Sequence, residues 1–156
     1  MDTTHRKNRV LNNRSLKRIG TVAGTLSAAL LLTVTQANAA GEVERATATT
    51  ASNEVEWVKC ANKLENGSIV YQACFSPPGD WFSVYDGNPD GSSAVVDWEV
   101  GSRWGSIFNA DGAGTERYKN KDFAESATIR FRICLGHWGT KTITAGTCSG
   151  WVSNLT

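Results

Sequence analysis

The sequence predicts an all-β chain: an antiparallel β-sandwich or small barrel of about 7–8 short strands held by two disulfides. Three observations carry this. Beyond residue 54 apolar and polar residues alternate, which puts side chains at i, i+2 and i+4 on one face of a strand. Turn-forming clusters punctuate the alternation: Asn66-Gly67, Pro77-Pro78-Gly79-Asp80, Asn88-Pro89-Asp90-Gly91, Asp111-Gly112 and Gly136 to Gly139. Four cysteines, Cys60, Cys74, Cys134 and Cys148, form two intervals of equal length.

The chain of 156 residues divides into three parts. Residues 1–39 read as a Sec signal peptide. Arg6, Lys7, Arg9, Arg14, Lys17 and Arg18 precede an apolar stretch from Val22 to Val34, which is too short for the ~20 residues of a membrane span and ends in the small-x-small site Ala37-Asn38-Ala39. Cleavage is expected after Ala39, with no stable membrane span remaining. Residues 40–53 are small and polar without an apolar period, and read as a flexible leader. Residues 54–156 read as a single β-sandwich domain. The formal charge of +1 changes with processing: from Ala40 onward 10 Lys and Arg stand against 14 Asp and Glu, a net of −4. A mildly acidic exported domain argues against nucleic acid as a partner, since phosphate binding needs a clustered basic surface.

Within the domain, strands are expected at Glu54–Cys60, Ile69–Phe75, Trp81–Asp86, Ser92–Val100, Trp104–Phe108 and Ala127–Leu135. The last is the cleanest, with Ala127, Ile129, Phe131, Ile133 and Leu135 on one face. In Ser92–Val100, Ala94, Val96, Trp98 and Val100 share a face, and Trp98 is expected to be buried. A helix has room only in Tyr118–Ser126. Four cysteines allow three pairings. A hairpin centred on Gly67 would set Cys60 opposite Cys74, which favours Cys60–Cys74 with Cys134–Cys148, each loop adding about 3 kcal/mol in the chain-entropy model. Zinc would need short Cys-x-x-Cys knuckles that are not present. Gly146-Thr147-Cys148-Ser149-Gly150 matches a nucleophile elbow in spelling only, because an oxidised cysteine cannot attack.

Four groups of residues are candidate sites. Asp86, Asn88 and Asp90, with Gly91 and Asp97 at the sixth and twelfth positions, follow the spacing of a calcium loop, although such loops end in Glu and the flanks here read as strands. An ordinary hairpin connection explains the same composition. All six tryptophans lie beyond residue 54, and Trp104 and Trp138, each beside glycine, are candidates for exposed rings of the kind that stack on sugars. Arg130 and Arg132 share a polar strand face and are candidates for binding a partner's carboxylate or sulfate, or simply for keeping that face soluble. For catalysis the domain offers His137 and the pair Asp97 and Glu99, about 7 Å apart on one strand face, without the surrounding motif that a nucleophile or a glycosidase cleft requires.

The motifs YDGNPDGSSAVVDW, GSRW, NADGAGTER and ATIRFRICL resemble those of small secreted proteins of uncharacterised function from actinomycetes such as Streptomyces, over Trp57 to Trp151. The resemblance implies secretion and a disulfide-stapled β-domain, and it implies no activity. Members of that group often carry a further cysteine pair in the central region, where this chain has Ile107 and Tyr118–Lys121. The expected function is therefore that of a secreted, extracellular, monomeric binding module without catalysis. Its partner would be a protein or a polysaccharide: an extracellular hydrolase to be inhibited, through the loops Ser76–Trp81 or Gly136–Lys141, or a carbohydrate held by Trp104 and Trp138. No cofactor is expected beyond the calcium candidate.

Overall fold

The computed structural model describes residues 41–49 and 55–156. The signal peptide expected at residues 1–39 lies outside them. Ten strands in two sheets and no helix make up the described residues: β1 Glu42–Arg45, β2 Lys59–Glu65, β3 Ser68–Ser76, β4 Trp81–Asp86, β5 Ser93–Val100, β6 Arg103–Asn109, β7 Thr115–Asn120, β8 Thr128–His137, β9 Thr142–Ile143 and β10 Val152–Leu155. The larger sheet runs β1-β6-β5-β8-β10, with β9 also on β8, and the smaller runs β2-β3-β4-β7. The all-β sandwich expected from the alternation is what forms. Its one departure from antiparallel pairing is β1, which runs parallel to β6.

The core lies between the sheets. Ala94, Val96, Trp98 and Val100 of β5 and Ile129, Phe131 and Ile133 of β8 meet Tyr71, Phe75, Phe82 and Val84 of the smaller sheet. Phe131 reaches across to Phe75 and Phe82, with centroids 6.1 and 5.5 Å away, the second pair edge to face. Each such ring removed from water stabilises the fold by about 1.5–3 kcal/mol. A second, smaller cluster lies on the outer side of the larger sheet, where Val95, Phe108 and Cys134 are covered by Trp138, Ile143 and Cys148.

Both disulfides pair as expected, Cys60 with Cys74 and Cys134 with Cys148. The first joins directly opposed residues of the β2–β3 hairpin. Its two-residue turn, Asn66-Gly67, has positive φ at both positions, 50° and 81°, which is the geometry that matches strand twist and that Asn and Gly adopt at least cost. Covalent links of this kind persist in oxidising compartments. Among the described residues no helix is long and apolar enough to cross a membrane.

Four strands, β1, β7, β9 and β10, fall where none was expected, and β2 is displaced from the expected Glu54–Cys60. The segment 55–58 is irregular and the strand begins at Lys59, because β2 is an edge whose only buried residue is Ala61 and its order comes from pairing with β3 rather than from an apolar face. β7 occupies the start of Tyr118–Ser126, where a helix had room: TERYKN is polar throughout and is held as an edge strand against β4. The leader 40–53, expected to be flexible, contributes β1. Glu42 and Glu44 face inward along the sandwich edge and pair with Lys121, whose side chain is only 4% exposed, while Lys119 also meets Glu44 and Arg103 meets Glu42. Lys121 Nζ lies 4.8 Å from the centre of the Trp98 ring, so two acids and one aromatic face compensate a buried ammonium. Burial raises the Glu42 pKa, but hydrogen bonds from Lys121 and Arg103 outweigh it and hold the carboxyl below its ordinary value.

Candidate binding surface

Alternation on the larger sheet sends every second side chain outward, and the register sets them in rows. Trp104, Glu99 and Arg130 form one row; Val43, Ser106, Asp97 and Arg132 form the next; Phe108, Val95 and Cys134 form the third. The apolar third row is roofed by the β8–β9 hairpin, which folds back over the sheet and is tied down by Cys134–Cys148. An ionic ladder occupies the opposite corner. Arg132 binds Asp97 at 2.7 Å, Arg130 binds Glu99, and both guanidinium groups lie over the Trp151 ring, 4.3 and 4.9 Å from its centre.

Between the ladder and the hairpin is an open pocket of about 480 Å³. Trp104, 51% exposed, lines it from the first row and Val43 from the second, and Ile143 and Lys141 line it from the hairpin. Ser106 and Asp97, neighbours across β5 and β6, lie at the sheet surface between them. Gly41 packs against the Trp104 indole so closely that any side chain at position 41 would displace the ring. Lys141 adopts φ 59° in the hairpin turn, and its ammonium stands over the Trp138 ring. Partial desolvation, then the nearby Arg45 charge, lowers its pKa from the ordinary lysine value.

The tryptophans thus divide differently from the expectation. Trp98 is buried in the core as predicted, and Trp104 is exposed. Trp138 is half-buried and serves as a support, its ring 5.6 Å from that of Phe108. Trp104 and Trp138 therefore do not form a flat exposed pair: the hairpin turns Trp138 onto the third row and brings Lys141 to the pocket instead. Arg130 and Arg132 are not open anion sites either, since cross-strand register places Glu99 and Asp97 against them. Asp97 and Glu99 are correspondingly occupied, and His137 is exposed in the hairpin beside Thr142.

The calcium spacing is an accident of the crossover between sheets. Asp86 ends β4 in the smaller sheet, is fully buried, and accepts backbone N–H groups of Asn88 and Ala94, each at 3.3 Å. Burial raises its pKa, against the effect of those two bonds. Asp90 accepts the Tyr71 hydroxyl at 2.7 Å and the Ser92 N–H at 2.8 Å. Burial tends to raise the Asp90 pKa, but these bonds prevail and lower it. Asp97 lies on the outer face of the other sheet, bound to Arg132, so the carboxylates expected to converge are spent on stitching β4 to β5 and on the ladder. Among the described residues Asp97 does come within 4.8 Å of the Cys134 and Cys148 sulfurs, but these are bonded to each other and are no ligand set.

Two contributors were missed from sequence. Trp151 had a readable signal, since it follows Cys148 closely and the disulfide delivers it to the β8 arginines. Lys141 ends the loop Gly136–Lys141 expected as an inhibitory surface, but nothing in the sequence put it in this pocket, because its place depends on how the hairpin folds over the sheet. No protein-family model matches the chain, nor does any curated protein or solved structure.

Proposed function

We propose that the protein is an exported, non-catalytic binding module that holds a carbohydrate in the Trp104 pocket. One observation carries this reading: a half-exposed indole walls an open pocket of about 480 Å³ whose surface also offers a hydroxyl, a carboxylate and an ammonium. A pyranose presents an apolar ring face and a rim of hydroxyls, and that combination suits an aromatic wall with polar groups beside it. Export is supported by the two disulfides, by the basic and apolar order of residues 1–39, and by the resemblance to small secreted actinomycete proteins. The expected cut after Ala39 leaves only Ala40 and Gly41 ahead of β1. The non-catalytic reading draws on the pairing of Asp97 and Glu99 with arginines, which leaves neither as a free acid or base.

Retention on a panel of cell-wall and plant polysaccharides, with tryptophan fluorescence, tests the proposal. Wild type should be retained on at least one, and Trp104→Ala should abolish retention without changing the melting temperature; no retention on any overturns it. A second reading, inhibition of an extracellular hydrolase, draws on the β3–β4 turn. Pro77-Pro78-Gly79-Asp80 is braced by Phe123 N–H donating to Asp80 at 2.7 Å and Lys121 N–H donating to the Asp80 carbonyl at 2.9 Å, and a stiff loop loses little entropy on binding. Near-stoichiometric suppression of a secreted protease or amylase would favour it, and an inactive broad panel would end it.

A further inference from the structure

The charges around the pocket are unequal in their freedom. Asp97 is bound by Arg132, and Glu42, at the pocket's rim, is bound by Arg103 and Lys121. Arg45, whose charge acts on Lys141, is bound by Asp111, which Arg117 also holds. Lys141 differs: among the described residues no carboxylate lies within 4.0 Å of its ammonium. The pocket's two acids are thus neutralised by the fold, and its one ammonium is not. The net field of the site is positive although the processed chain as a whole carries −4.

We infer that the pocket takes an acidic sugar, a uronate unit of a polyuronic chain, with its carboxylate on Lys141 and its ring face on Trp104. This rests on the reading of the pocket as a carbohydrate site and names the sugar class. Trp104 belongs to the first row and Lys141 to the hairpin that roofs the third, so a ring laid against the indole turns its far edge toward the ammonium. Ser106 lies between them, as does Asp97, whose contacts with Arg132 both use Oδ2, so that Oδ1 is left to accept from a ring hydroxyl. A neutral sugar would use the indole but leave the ammonium, which stands over the Trp138 ring, without a counter-charge. The bound anion also supplies the counter-charge that the fold does not.

Affinity electrophoresis and calorimetry with polygalacturonate, and with neutral glucan and xylan as comparison, test the inference. Wild type should bind polygalacturonate in preference to the neutral chains, with affinity falling as salt rises. Lys141→Ala should lose about tenfold or more for the polyuronate, the size of a charge-assisted hydrogen bond, and Lys141→Arg should retain most of it. Trp104→Ala should lose binding to every sugar. If Trp104→Ala weakens binding while Lys141→Ala leaves polyuronate affinity intact, or neutral chains bind as tightly, the acidic-sugar inference is overturned and the carbohydrate site stands. If neither wild type nor variant binds any chain, the site reading itself fails, and the inference with it.

Discussion

The two disulfides close loops of identical sequence separation, 14 residues each, yet they fasten different things. Cys60–Cys74 joins strands already opposed by the β2–β3 ladder, on a hairpin whose tip, with Leu64 and Ile69, projects into solvent. Cys134–Cys148 joins β8 to a segment with little ladder of its own, and so holds the β8–β9 hairpin down on the outer face of the larger sheet. The chain-entropy argument assigns both about 3 kcal/mol, because it counts only the loop lost from the unfolded chain. What surrounds the sulfurs in the folded state breaks the tie. Cys134 is fully buried against Val95 and Phe108, whereas reduced Cys60 would remain beside a partner strand that the backbone still holds.

The largest expected difference follows from this. Cys134→Ala with Cys148→Ala should cost about 4 kcal/mol in urea unfolding and weaken any ligand of the Trp104 pocket, while Cys60→Ala with Cys74→Ala should cost about 2 kcal/mol and leave binding unchanged. Equal losses in both pairs would return the matter to loop length alone. Next in size is a contrast between glycines. A methyl at Gly136 would lie 2.5 Å from the Thr142 carbonyl and 2.9 Å from Val95, so Gly136→Ala should cost about 2 kcal/mol and splay the hairpin. Gly67→Ala meets no neighbour and pays only for its positive φ, about 1 kcal/mol.

The other wall of the pocket is ionic where the hairpin is covalent, so acid should separate them. Glu42 has a lowered pKa in the fold; its contribution is present above the ordinary value of 4.5 and is lost as pH falls through the folded value. Asp80 and Asp86 have raised values, chiefly from burial, and act oppositely: keeping them charged costs stability at neutral pH, and that cost is relieved as they take up protons. Protection of residues 42–45 against amide exchange, taken relative to the intrinsic rate at each pH, should therefore fall below pH 4.5 before that of β8 and β9 changes, and Glu42→Gln with Glu44→Gln should produce the same loss of protection at neutral pH. Simultaneous loosening of both walls would deny the distinction. The smallest effect is at Lys141, whose replacement by Ala should move stability by no more than about 0.5 kcal/mol, since its side chain stands on an exposed turn.

How legible these features were depended on whether a residue's neighbours were local. The hairpin pairing of Cys60 with Cys74 follows from a two-residue turn and a count along each arm. The inward face of β8 follows from period 2. β1, β7 and β10 were illegible because they are edge strands: their backbones borrow order from a partner, and their side chains need not alternate in polarity. The Asp86–Asp97 spacing misled for a related reason. It treats twelve consecutive residues as one loop, when the chain leaves one sheet after Asp86 and has joined the other by Ser93.

Alternation, turn chemistry and four cysteines were enough by themselves to determine an all-β sandwich, its disulfide pairing, and which face of β5 and β8 would be buried, because each depends on contacts a few residues or one hairpin away. Tertiary structure alone decided that Glu42 and Glu44 would leave the leader to neutralise Lys121, that Asp97 would pair with Arg132 instead of converging with Asp86 and Asp90, and that Trp104 and Lys141 would line one pocket. Those are pairings between strands brought together only when two sheets close on a common core, and no spacing along the chain encodes them.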